Sequence, residues 1–127
     1  MRVPAVIVLL LCLLPPTAFA ETAVTIESPE WTRLLRPHHF GDRAIIEGRT
    51  VFDLVTPYRA EDAAVTPVRI RANIPQTPER WIRTVHLLVD KNPEPLVGRF
   101  HFTPDIGRAD LALRIRIDRY THVRAIA

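Results

Sequence analysis

The sequence predicts an antiparallel β-sandwich with one short helix towards its N-terminal side. Three observations carry that expectation. From residue 50 onwards, apolar residues recur at alternate positions in short runs, the period of a half-buried strand. Prolines and other turn formers punctuate those runs. The chain is also short: 127 residues, of which residues 1–20 read as removable, so 107 remain. That is one domain, and too little for a Rossmann pair or an eightfold βα barrel.

Residues 1–20 open with Arg2, continue with an apolar run over 3–14 and end Ala18-Phe19-Ala20 before Glu21. This is the pattern of a secretory signal peptide cleaved after Ala20. The run falls short of the roughly 20 apolar residues that span a bilayer, so no membrane segment is expected after cleavage. Cys12, the only cysteine, lies deep in the run behind the bulky Leu11, unlike a lipidated cysteine. Residues 21–127 therefore offer no disulfide, thiolate metal site or cysteine nucleophile.

The helix is expected at Ser28-Pro29-Glu30: an N-cap serine, proline at the first helical position and an acid at the positive end of the dipole. Trp31, Leu34 and Leu35 would form its apolar face, Pro37 would end it after one or two turns, and residues 38–42 would be a loop. Strands follow over 50–55, 66–74, 81–90, 96–103, 110–118 and 121–127. In the second, Val68, Ile70, Ala72 and Ile74 alternate with Arg69, Arg71 and Asn73. The third has Trp81, Val85, Leu87 and Val89 in one phase and Ile82 and Leu88 in the other, which predicts burial on both faces. Leu96, Phe100 and Phe102 point inward in the fourth, as do Leu111, Leu113, Ile115 and Ile117 in the fifth. The last run stops without a turn or polar tail, so the sandwich is expected to be incomplete at its C-terminal side, its final strands missing.

Composition excludes several classes of function. The 17 Lys and Arg, less Arg2, leave 16 against 14 Asp and Glu, a net charge of +2. There is no basic run, so no nucleic-acid partner is expected. The histidines, His38-His39, His86, His101 and His122, show no metal-ligand spacing. Ser28, the one serine, is explained by the helix cap, and no G-x-S-x-G or glycine-rich phosphate loop occurs. Asp53, Asp90, Glu94 and Asp105 fall near turns or strand ends, where acids are ordinarily turn formers. Neither an enzyme nor a cofactor is expected. One pattern remains: Arg69, Arg71, Arg99, His101, Arg114 and Arg116 all project opposite the apolar phase. If their strands are neighbours, they form a guanidinium ladder fit to dock an anion or an acidic partner. Otherwise they are a solvated face neutralised by Asp110 and Asp118.

Four segments go further than pattern. Residues 58–72 resemble the strand entry of the sulfur-oxidation carrier family SoxY, and residues 40–43 its helix exit. Lys91-Asn92-Pro93-Glu94-Pro95-Leu96, within 89–100, resembles its K-N-P-x-P-L hairpin, the most specific of the four. Residues 115–126 resemble its next two strands, and Asp118-Arg119-Tyr120-Thr121 with Val123-Arg124-Ala125 is similar to the SoxYZ-like carriers associated with quinoprotein dehydrogenases. The resemblance implies a periplasmic, immunoglobulin-like sandwich that is not an enzyme and that partners a SoxZ-like domain or subunit. It implies further partners among sulfur-oxidation enzymes or a quinoprotein dehydrogenase of the alcohol or methanol type. In that family sulfur intermediates ride on one cysteine in a glycine-rich C-terminal tail, a part with no counterpart in 21–127. An accessory interaction module without sulfur carriage is the alternative.

Overall fold

The computed structural model describes residues 27–127; the signal-peptide and Cys12 expectations lie outside them. Six strands form two three-stranded antiparallel sheets. The first sheet has the order β1 (Phe52–Val55), β2 (Thr66–Ala72), β5 (Leu111–Ile115). The second has the order β4 (Leu96–His101), β3 (Thr84–Val89), β6 (Val123–Ile126). Pairing the second strand with the fifth and the third with the sixth is the immunoglobulin-like arrangement of a sandwich. All six expected strands are present, each shorter than expected at one end or both.

The alternation on β2 sets the interior. Val68, Ile70 and Ala72 are buried and the arginines between them are exposed. Val68 packs with Ile115 of its own sheet and with Leu87 and Val89 of the other, which places the core between the sheets. On β3 the other phase is buried as well: Leu88 lies at the outer face, under the N-terminal helix. Leu88 thus accounts for the second apolar phase of the third strand, whereas Ile82, ahead of β3, packs with Val85 and Ile70 instead. Burying a leucine of this kind contributes roughly 1.5–3 kcal/mol.

The helix differs from expectation in two ways. Helical residues run unbroken over 29–40, through Pro37 and through His38 and His39, which are not in a loop. A π-type turn at Trp31–Leu35, closed by Arg36 N–H donating to the Trp31 carbonyl, precedes α1 (Arg36–Phe40). The widened turn places Pro37 in the first turn of a new helical segment, where its missing N–H is harmless. The same extra residue rotates Leu34 into solvent, 64% exposed, and the buried face is Trp31, Leu35 and Phe40 instead. Gly41, at φ +58°, ends the helix, its N–H on the Pro37 carbonyl at 3.1 Å.

Candidate functional site

The β3–β4 hairpin and the strand that follows β5 build the most connected polar cluster. Val89 N–H donates to the Pro95 carbonyl at 2.8 Å and Asn92 N–H to the Val89 carbonyl at 3.2 Å, closing the turn. Asn92 then reaches outward. Its Nδ2 donates to the Arg116 carbonyl at 2.7 Å and its Oδ1 accepts from Asp118 N–H at 3.2 Å. Lys91 N–H donates to Thr121 Oγ1 at 3.0 Å. Lys91, Asn92, Pro93 and Pro95 thus act through the turn they make, and asparagine is the residue that latches the turn to the end of β5.

Directly beneath the turn sits Asp90, with its side chain fully buried. Both carboxylate oxygens accept from Arg124, from Nε at 2.8 Å and from Nη2 at 2.8 Å, and Ser28 Oγ donates to Oδ2 at 2.5 Å. Such a two-pronged pair suits the planar fork of arginine. The Arg124 guanidinium also lies 4.5 Å from the centre of the Trp31 ring, a cation–π contact. Ser28 Oγ accepts from Trp31 N–H at 3.1 Å, so the predicted N-cap is there and does a second task. The sequence explains Ser28 as a cap and Asp90 as a turn former, and it marks Arg124 only as part of a family segment, with no role for its side chain. No local signal joins residues 28, 90 and 124.

The cationic residues do not form one ladder. Arg69, Arg71 and Arg114 lie on the outer face of the first sheet, with Arg69 opposite Ala112 and Arg114 opposite Pro67. Arg99 and His101 belong to β4, in the second sheet, and face the opposite side of the sandwich. Alternation fixes the face of a strand and leaves open which sheet it joins, so the two sets share a phase but no surface. Arg116, beyond the end of β5, is paired with Asp118 at 2.6 Å. Asp110 pairs with Arg108 at 3.4 Å and accepts from Ala72 N–H, so it does not neutralise Arg69 or Arg114.

Three of the histidines, His38, His39 and His86, gather where the helix meets the second sheet. His38 and His39 stack edge-on at 4.7 Å, and Phe40 meets the His86 ring at 5.2 Å. Burial, with help from His38 and Arg99, holds the His39 imidazole below its ordinary value. Burial does the same to His86 against the opposing pull of the Ile126 backbone carbonyl, which favours the protonated ring, with Arg99 and His101 adding to the lowering. Among the described residues no three His, Asp or Glu converge where a metal ion could sit. No helix there is long and apolar enough to cross a membrane.

A protein-family model described as sulfur oxidation protein SoxY matches residues 36–127. The chain belongs to the SoxY family. The match takes in all six strands, the Lys91–Leu96 segment and Arg124, and begins after Ser28 and Trp31. No curated protein matches the chain.

Proposed function

We propose that this chain is the SoxY-like scaffold of a periplasmic carrier of sulfur intermediates, working beside a SoxZ-like domain or subunit and performing no catalysis itself. The observation that carries the reading is the SoxY match over 36–127 laid on an immunoglobulin-like sandwich. Carriage needs a thiol, because sulfur intermediates are held and exchanged as S–S bonds. Cys12, the only cysteine, lies in the signal-like leader, so the proposal places the carrier cysteine in sequence beyond residue 127. The free edge of β6 suits the addition of a further strand before such a tail.

Joining a thiolate to thiosulfate removes two electrons, which an oxidising partner must accept. The test is to read the gene beyond codon 127, then treat the full-length protein with thiosulfate and its oxidising partner enzymes. A mass increase on a C-terminal cysteine is expected. A stop codon directly after Ala127, or a cysteine that gains no mass, refutes carriage by this chain.

The second reading is an accessory module of a quinoprotein dehydrogenase, favoured by the segment from Asp118 to Ala125. Deleting the gene separates the two: loss of thiosulfate oxidation supports the first, and loss of alcohol oxidation alone supports the second.

A further inference from the structure

Two tyrosines at one end of the sandwich stand in solvent. Tyr58 is 95% exposed and Tyr120 is 67% exposed, and their rings approach to 6.4 Å at an angle of 50°. They line a cleft of about 340 Å³ together with Ala63, Ile117 and Val123. Neither ring contributes to the core, so packing does not account for them. Tyrosine and arginine are the residue types that most often anchor binding surfaces, because each brings contact area and a polar tip.

The arginines are there too. Arg59 and Arg119 each follow or precede one of the tyrosines and line the cleft. Arg114 lines the adjoining depression, which shares Pro57 and Arg59 with the first. None of the three forms an ion pair with a described residue; nearby, Asp118 is paired with Arg116, while Asp62 accepts from the N–H of Ala64 and keeps its charge. Among the described residues lining the two depressions, three guanidiniums without an ion pair face two carboxylates, Glu61 and Asp62.

Both loops that carry the cleft are pinned. Ile117 N–H donates to the Ala63 carbonyl at 2.8 Å, tying one loop to the other. Asn92 holds Asp118, and Thr121 holds Lys91, as described above. A site already shaped in the free protein loses less entropy on binding.

We propose that the Tyr58–Tyr120 cleft docks an acidic, extended segment of a partner protein, the rings taking its apolar side chains and Arg59, Arg114 and Arg119 its carboxylates. A protein is favoured over a nucleic acid because the charge is local: the chain has no basic run. The inference stands on this surface alone and does not rest on sulfur carriage.

The probe is a decapeptide of alternating glutamate and leucine, with lysine in place of glutamate as its counterpart, titrated into the isotope-labelled full chain. Amide shifts are expected to cluster at 56–62 and 117–122 with the glutamate peptide. The pair Arg59→Glu and Arg119→Glu weakens that peptide at least about ten-fold and turns the preference towards the lysine peptide. The pair Tyr58→Ala and Tyr120→Ala weakens the glutamate peptide about ten-fold with an unchanged melting temperature, since both rings are solvent-exposed. Equal affinity for the two peptides, shifts centred elsewhere, unaffected variants or no binding of the glutamate peptide overturns the proposal. So does binding confined to phosphatidylglycerol vesicles or to single-stranded DNA.

Discussion

Replacing Asp90 with asparagine removes one charge and changes little in shape. It strands the Arg124 guanidinium, whose side chain is only 10% exposed and which pairs with no other acid among the described residues. Asparagine keeps one oxygen for either Arg124 or Ser28 and turns an NH₂ towards donors. Breaking one half of a buried pair costs about 3–5 kcal/mol. A domain of this size is stable by about 5–15 kcal/mol in all, so Asp90→Asn takes away a large share. At roughly 4–8 °C per kcal/mol, the melting temperature falls by at least about 12 °C. Urea unfolding followed by Trp31 fluorescence reads this directly, in a Trp81→Phe background so that only the ring under Arg124 reports. The control is Asp90→Leu with Arg124→Met, which removes both charges and recovers most of the loss, because apolar replacements of buried pairs are often near neutral. A single variant within about 1 kcal/mol of the parent, or a double variant as weak as the sum of the singles, would refute the claim that the pair is buried and mutually dependent.

Three further outcomes follow from the same structure. Stability at pH 5.5 is expected to be lower than at pH 7.5: the folded-state values of His39 and His86 lie below the unfolded value, so the unfolded chain takes up protons first as pH falls below about 6.5. The variant carrying His39→Gln and His86→Gln flattens that profile in chemical denaturation, and an unchanged slope contradicts the assignment. Asn92→Ala removes both latches to the end of β5 and costs about 1–3 kcal/mol by thermal melt, with hydrogen exchange speeding up at Asp118. Gln76→Leu leaves the N–H and carbonyl of Ile82, now held at 2.8 and 2.9 Å, without partners in a buried place, a loss of about 2 kcal/mol or more by urea titration.

Where one face of a strand is buried, the sequence reads plainly. Val68, Ile70 and Ala72 announce β2, and the double phase of β3 announces that something covers its outer side. What covers it is harder to read. Leu34 fits an ideal helical face and still points into solvent, because one π-type turn shifts the phase, and proline looks like a stop when it is a restart. The family hairpin is legible because its turn chemistry is local to six residues. The Ser28–Asp90–Arg124 cluster is not, because Ser28 and Asp90 each have a sufficient local explanation, Arg124 carries no local signal, and their meeting depends on which strand lands beside which. The same gap divides Arg69 from Arg99: their phase is written in the chain, and their sheet is not.

The contact between Ser28 and Arg124 spans 96 positions of sequence. A chain made from its N-terminus outward forms its helix early and gains the landing place much later. Leu88 and Leu96 must emerge first, and then Arg124 and Ile126 on β6. Trp31, Leu35 and Phe40 therefore lack their full cover until Arg124 and Ile126 have been made, and closing so long a loop is intrinsically slow. A defect in β6 would consequently show itself at the other end of the chain, as a newborn protein whose helix stays bare and sticky to chaperones and to its own copies.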